Sequence, residues 1–136
     1  MSHVSPSHTP SEADVRVFRQ YPDTLFEAVK HYAMFIGHAR SGHSLVGAIL
    51  DAHPNIVIAN EIHALPLFHH YDCDRLRVFK LILDWSLRPG DDQRWARDCY
   101  NYRIDGLHQG RYRAIEVIGD KKGGASTRYL LNHRRF

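Results

Sequence analysis

The sequence predicts an α/β fold in three layers, in which helices cover both faces of a parallel β-sheet. Three short apolar runs, at residues 32–37, 55–59 and 114–119, have the composition of buried strands, and a polar turn follows each of them. Segments with apolar residues at helical spacing separate these runs. The length of 136 residues is enough to bury one hydrophobic core.

The helices are predicted from apolar spacing and from the prolines that follow them. Pro22, Pro54 and Pro89 each end a helix, because proline and the residue before it disfavour helical continuation. The predicted helices span residues 12–20, about 23–30 with Asp23 or Thr24 as cap, 44–50, 74–87 and 91–107, and a last one runs from a cap at Ser126 or Thr127 to Leu131. Residues 32–59 therefore form a strand, a turn, a helix and a strand, the order of a right-handed parallel crossover.

Composition bounds the class of protein. Residues 1–11 are rich in Ser, Pro and His and lack the apolar core of a signal peptide, so we interpret them as a disordered leader to a single domain at residues 12–136. No run approaches the roughly 18 to 20 apolar residues that span a bilayer, and the two cysteines lack the spacing of a disulfide framework or redox motif. We expect a cytoplasmic protein without a membrane partner.

The charges favour an anionic ligand over a nucleic acid or a metal. The formal net charge is +3, and the 18 basic residues are spread along the chain without a basic block, so no nucleic-acid partner is expected. The eleven histidines are also scattered and show no metal-binding spacing, so no metal site is expected.

The segment that indicates a binding site is Gly-His-Ala-Arg-Ser-Gly-His-Ser at residues 37–44. Two glycines five apart, followed by a basic residue and a serine, match the spacing of a P-loop, except that His43 stands where a nucleotide triphosphatase has Lys. Glycines let such a loop turn its amides toward a phosphate, and the N-terminus of the next helix adds its own amides and dipole. The position between a buried strand and an apolar helix predicts a P-loop-type anion site.

Residues 34–61 also resemble a known family. Arg40-Ser41-Gly42-His43-Ser44-Leu45, followed by Leu-Asp-Ala-His-Pro at residues 50–54 and then by Glu61, resembles the 5′-phosphosulfate loop of sulfotransferases. The closest pattern is that of the tyrosylprotein sulfotransferases and related bacterial enzymes, with Arg-Ser-Gly-Thr-Thr/Ser-Leu, then Leu-Asp-Ala-His-Pro, a strand and a Glu. The rest of the chain resembles the family only in the order of its elements.

The resemblance implies 3′-phosphoadenosine 5′-phosphosulfate as cosubstrate and no metal. It implies that Arg40 contacts the phosphosulfate, that Glu61 takes the proton of the acceptor hydroxyl, and that Lys121 stabilises charge on the bridging oxygen. We favour Lys121 over Lys122 because it follows the third strand more closely, while a capping role for Glu61 and a solvated lysine pair stay open. The implied ligand-binding residues are Gly37, Arg40, Ser41, Gly42, His43, Ser44 and Leu45.

Two features depart from the family pattern. His43 replaces the usual Thr, so the loop gains a group that donates a hydrogen bond when neutral and adds charge when protonated. The strand that carries the family's 3′-phosphate ligands is missing, and Arg134 and Arg135 come too early to replace them. We therefore expect a P-loop fold that is incomplete at its C-terminal end, completed by a further segment or by a partner chain.

Three functional hypotheses follow. The first is a sulfotransferase, or its N-terminal portion, which transfers a sulfuryl group to a hydroxyl or amine on a small molecule or peptide. The second is an atypical P-loop kinase or NTPase, which the absence of Lys at position 43 weakens and Asp120, as a possible Mg²⁺ ligand, keeps open. The third is a non-catalytic nucleotide-binding or assembly module.

Overall fold

The computed structural model of the chain describes residues 9–88, 95–97 and 100–133, with the side chains of residues 96 and 97 outside that description. The helices are α1 (Glu12–Gln20), α2 (His43–Asp51), α3 (Ala64–His70), α4 (Arg75–Leu87) and α5 (Gly124–Asn132), with a 3-10 turn at Asp23–Phe26. The strands are β1 (His31–Met34), β2 (Ile56–Asn60), β3 (Ala96–Arg97), β4 (Tyr100–Asn101) and β5 (Val117–Lys121).

The main sheet is parallel and has β5 at its centre, in the order β1-β5-β2. Gly119 of β5 lies opposite Ala33 of β1 and Ile58 of β2 in this register. Because parallel strands all point the same way, their carboxyl ends meet at one edge of the sheet. The chain segments that follow β1, β2 and β5 are therefore neighbours at this edge.

Helices cover both faces of the sheet, as the alternation of side chains along β2 shows. Val57 and Ala59 point into the larger apolar core, which α4 and the segments around it complete. Ile58 points to the opposite face, into a smaller core with Ala48 of α2 and the indole of Trp95. The predicted α/β class, a parallel sheet flanked by helices, is confirmed.

The helices predicted at residues 12–20, 44–50 and 74–87 are observed as α1, α2 and α4. Ser11 caps α1 by accepting a hydrogen bond from the amide of Asp14, and Asp74 caps α4 in the same way through Arg77. Residues 1–8 of the predicted leader, and the Pro89-Gly90 stop, lie outside the described residues.

The helix predicted for residues 23–30 is wrong, because only a four-residue 3-10 turn forms, with Pro22 at its start and no side-chain cap. Phe26 is buried, and the amide of Lys30 then donates to the carbonyl of Glu116, which draws the chain into the sheet. The α3 helix, with Pro66 in its first turn, was not predicted, since seven residues give too short a periodic signal.

The helix predicted for residues 91–107 is also wrong in the part that the structure describes. Ala96–Arg97 and Tyr100–Asn101 form an antiparallel pair, and the amide of Tyr102 donates to the carbonyl of Trp95. Trp95 is buried, and its indole N–H donates to the carboxylate of Asp51. This long-range anchor favours an extended segment over a helix.

The third strand is displaced toward the C-terminus, since β5 covers Val117–Lys121 where the sequence predicts residues 114–119. Asp120 and Lys121, predicted in a loop, belong to the strand and are buried because each has a partner of its own. The last helix begins at Gly124 with Gly123 as its cap, so the predicted caps Ser126 and Thr127 lie inside α5.

None of the helices in the described ranges is long and apolar enough to cross a membrane.

Candidate functional site

The three segments that carry the predicted site residues meet at the edge of the sheet where the parallel strands end. The loop at residues 35–42 follows β1, Glu61 follows β2, and Lys121 ends β5 and precedes Lys122. The register pairs Asn60 with Lys121, and the amide of Glu61 still donates to the carbonyl of Lys121 over 2.9 Å. The structure therefore brings the predicted residues of all three segments to one edge of the sheet.

The loop between β1 and α2 contains three residues with positive φ. Gly37 has φ 143°, Arg40 has φ 63°, and Gly42, with φ 78°, caps α2 in a left-handed conformation. Left-handed backbone turns successive amides toward one side, which is how loops of this type enclose an anion. Arg40 is a non-glycine residue in this region, an uncommon conformation that is enriched at functional sites.

The N-terminus of α2 faces the same loop. The first hydrogen bond of the helix joins the amide of Val46 to the carbonyl of Gly42. The amides of His43, Ser44 and Leu45 precede it and have no partner inside the helix. The helix dipole favours negative charge at this end.

Thr127 of α5 holds the beginning of the loop. Its hydroxyl accepts a hydrogen bond from the amide of Gly37 over 2.8 Å and lies 3.0 Å from the carbonyl of the same residue, to which it can donate. Thr127 is therefore not a helix cap, the role that the sequence predicts for it or Ser126, but an anchor of the loop. Later in the loop, the Ser41 hydroxyl donates to the carbonyl of His38 over 2.7 Å and closes a turn.

His43 lies between the loop and the segment that follows β5. Its ring contacts Phe35 edge-on, with 5.8 Å between centroids. A Cβ added to Gly37 would stand 3.2 Å from Nε2 of His43, and a Cβ added to Gly123 would stand 2.4 Å from Nδ1 of His43. The glycine after Lys122 thus has a steric role, because a Cβ at position 123 would displace the imidazole from its present position.

Glu61 forms the polar centre of this edge. Lys121 Nζ donates to Glu61 Oε1 over 2.6 Å, and Lys122 Nζ donates to Oε2 over 2.8 Å. The side chain of Lys121 is only 6% exposed, that of Lys122 is 25% exposed, and that of Glu61 is 37% exposed. One carboxylate therefore pairs with two lysines, and the group keeps a net positive charge.

The two lysines set the protonation state of Glu61. Burial tends to raise the pKa of its carboxyl, but hydrogen bonds from Lys121 and Lys122 and the charges of both lysines outweigh burial and lower the pKa below its ordinary value. The carboxylate is therefore ionised at neutral pH, and pairing with both lysines makes it a weaker base than an unpaired Glu.

Asp120 and Trp85 hold the backbone around Glu61. Asp120 Oδ2 accepts a hydrogen bond from the amide of Ala64 over 2.8 Å, and Trp85 Nε1 donates to the carbonyl of Asn60 over 2.9 Å. Burial raises the pKa of Asp120 to about 6, although the neighbouring backbone amides oppose this shift. Between these anchors Glu61 adopts φ 68°, so it is the second non-glycine residue, after Arg40, among the predicted site residues with a left-handed backbone.

The Leu-Asp-Ala-His-Pro segment has a structural role that the sequence reasoning missed. Asp51 is 2% exposed, and its two carboxylate oxygens accept hydrogen bonds from the Ile58 amide over 2.8 Å and from Trp95 Nε1 over 2.9 Å. His53 Nδ1 accepts a hydrogen bond from the amide of Asn55 over 3.1 Å. Asp51 thereby joins the end of α2 to β2, which fixes α2 over the sheet.

Gly47 brings α2 close to Lys121. A Cβ at this position would stand 2.7 Å from Trp95 Cη2 and 3.3 Å from Lys121 Cγ. The aliphatic stem of Lys121 therefore passes beneath the first turns of α2, and its ammonium group emerges at Glu61. A glycine inside a helix, which otherwise weakens the helix, is the signal that could have predicted this close approach.

The predicted residues fall into two groups. Gly37, Gly42, His43 and the hydroxyl of Ser41 shape the loop, while Arg40 and Leu45 are exposed at its surface and Ser44 is half-buried. Glu61 and Lys121 are joined directly, and Lys122, which was ranked below Lys121, shares the same carboxylate. Within the described residues, no group of three His, Cys, Asp or Glu side chains could hold a metal ion.

The chain matches no protein-family model, no curated protein and no solved structure.

Proposed function

We propose that this edge of the sheet binds the 5′-phosphosulfate of 3′-phosphoadenosine 5′-phosphosulfate within a P-loop-type fold, and that the chain is a sulfotransferase or a portion of one. The observation that carries the proposal is the Lys121–Glu61–Lys122 group beside the loop at residues 37–44. It combines two cations with an ionised carboxylate, the charges that sulfuryl transfer to a hydroxyl requires.

In the proposed reaction, the acceptor oxygen attacks sulfur in line while the bond from sulfur to the bridging phosphate oxygen breaks. Glu61 takes the acceptor's proton, and 3′,5′-adenosine bisphosphate leaves with the bonding electrons. Lys121 and Arg40 stabilise the negative charge that develops on the bridging oxygen and on the sulfuryl oxygens. The amides of residues 41–45 hold the 5′-phosphate, so no metal is needed for charge neutralisation.

The geometry of Asp120 favours this proposal over the kinase or NTPase alternative. Asp120 is 3% exposed as a residue, and its Oδ2 accepts a hydrogen bond from the Ala64 amide, so it serves the turn after β2. An Mg²⁺ ligand in such enzymes needs access to water and to the nucleotide phosphates.

Calorimetry tests the proposal directly. The chain is titrated with 3′-phosphoadenosine 5′-phosphosulfate and with ATP, each with Mg²⁺ and with a chelator. We expect the sulfonucleotide to bind equally with and without the chelator, and ATP to bind more weakly in both. Mg²⁺-dependent ATP binding that is tighter than sulfonucleotide binding would contradict the proposal and favour a kinase.

A further inference from the structure

The two lysines beside the loop are already occupied by an internal anion. Each oxygen of the Glu61 carboxylate holds one ammonium group, at 2.6 Å and 2.8 Å. These distances are those of charge-assisted hydrogen bonds, the strong class in proteins. An external anion that uses either lysine must share it with Glu61 or displace Glu61 from it.

Lys121 and Lys122 differ in their freedom to move. The side chain of Lys121 is 6% exposed, and its Cγ lies under Gly47 of α2, so its ammonium group is fixed near Glu61. The side chain of Lys122 is 25% exposed, and the residue lies beyond the end of β5, just before Gly123. Lys122 is therefore the lysine that can change partner without repacking the core.

We infer that Glu61 is a built-in competitor for the bound anion and that Lys122 transfers from Glu61 to the ligand when the 5′-phosphosulfate binds. This inference rests on the proposed function. Lys121 stays with Glu61 and keeps it ionised, while two of its three N–H donors remain for the anion. The transfer of Lys122 leaves Glu61 Oε2 without its lysine and open to an acceptor hydroxyl.

The arrangement gives the site an order of events. Without the sulfonucleotide, each carboxylate oxygen is paired with a lysine, so an acceptor hydroxyl must compete with an ammonium group for the base. With the sulfonucleotide bound, Oε2 is uncovered beside the reacting sulfur. Whether Glu61 is available as a base thus depends on whether the loop at residues 37–44 holds an anion, and Lys122 links these two events.

Binding measurements separate this inference from a simple charge effect. Glu61→Gln removes the competing charge and preserves the shape of the side chain. Because the carboxylate is partly exposed and its ion pairs are screened, we expect adenosine 5′-phosphosulfate to bind about three- to tenfold more tightly to this variant. The matched control is Glu116→Gln, which removes a carboxylate paired with Lys30 over 3.8 Å just before β5, at the opposite end of that strand. The control should bind like the parent.

A double-mutant cycle tests the role of Lys122. Lys122→Gln should weaken binding, and the loss should be larger in the Glu61→Gln background, where no ion pair with Glu61 must be given up. Thermal melts confirm that each variant is folded. If Glu61→Gln fails to fold, Glu61→Asp replaces it, since the shorter side chain keeps its charge but loses reach to one lysine and should give a smaller gain in affinity.

Titration with inorganic pyrophosphate distinguishes failure of this inference from failure of the proposed function. Equal sulfonucleotide affinity in the parent, Glu61→Gln and Glu116→Gln proteins would overturn the inference and leave the proposed function standing. Tighter pyrophosphate binding by Glu61→Gln, with no sulfonucleotide binding by any variant, would support the competition and overturn the proposed function. Absence of binding by both ligands to all variants would overturn both.

Discussion

The substitution Gly47→Ala tests how closely α2 packs on the sheet. Two effects of opposite sign compete at this position. Alanine stabilises a helix interior over glycine by about 0.8–1 kcal/mol. The added Cβ would stand 2.7 Å from Trp95 Cη2, however, and ordinary contacts begin at 3.4 Å, so the indole must move by at least 0.7 Å.

The steric term should dominate, because Trp95 is 2% exposed and is held by its hydrogen bond to Asp51. Overpacking in such a core costs about 1–3 kcal/mol. After subtraction of the gain in helix propensity, we expect Gly47→Ala to lower the free energy of unfolding by up to about 2 kcal/mol. Urea denaturation measures this change, and the melting temperature should fall by up to roughly 8 °C.

The Trp95→Phe background isolates the clash, because phenylalanine lacks the indole atoms that the new methyl group would meet. In this background Gly47→Ala should be neutral or stabilising by up to about 1 kcal/mol, the propensity term alone. A Gly47→Ala protein that is at least as stable as the parent with Trp95 intact would refute the packing described for α2.

Two further predictions concern the residues that hold the site. Thr127→Val should lower the free energy of unfolding by about 1–3 kcal/mol, because the amide of Gly37 loses its acceptor. The exposed control Thr24→Val should change the free energy of unfolding by less than about 0.5 kcal/mol. Equal effects of the two substitutions would contradict the claim that Thr127 anchors the loop. Asp120 has its pKa raised from 3.8 to about 6 in the folded chain, so the stability it contributes is present below pH 4 and is lost as the pH rises through about 6, by at most about 3 kcal/mol. Asp120→Asn should remove this decline in chemical denaturation measured from pH 4 to pH 7, and identical pH profiles of the two proteins would show that Asp120 is not the titrating group.

Much of the fold could be predicted from local signals. The helices α1, α2 and α4 have clear apolar spacing, and prolines mark where the first two of them stop. The placement of β5 between β1 and β2 could not be predicted, since strand order depends on contacts between distant segments. The extended segment at Trp95 was missed for the same reason, because its anchor, Asp51, lies 44 residues earlier in the chain.

The candidate site was predicted as separate residues, not as an arrangement. Glu61 and Lys121 were singled out because the resemblance to sulfotransferases implies a base at the end of the second strand and a lysine at the end of the third. Their ion pair depends on the register of β2 against β5. Local patterning predicts that a buried strand ends where charged residues begin. For this reason the sequence does not predict that β5 continues through Asp120 and Lys121.

The measurement that tests the account most directly is the affinity of 3′-phosphoadenosine 5′-phosphosulfate for the parent chain, for Arg40→Ala and for Arg16→Ala. Alanine retains the Cβ of Arg40, so the backbone strain at φ 63° is unchanged. Arg16 lies on α1, which packs on α4 at the opposite face of the sheet from α2, and its replacement removes the same charge away from the loop. We predict that Arg40→Ala melts like the parent and binds about 10- to 150-fold more weakly, the loss of one charge-assisted contact, while Arg16→Ala binds like the parent. Unchanged affinity in a folded Arg40→Ala protein would contradict the claim that this loop holds the phosphosulfate.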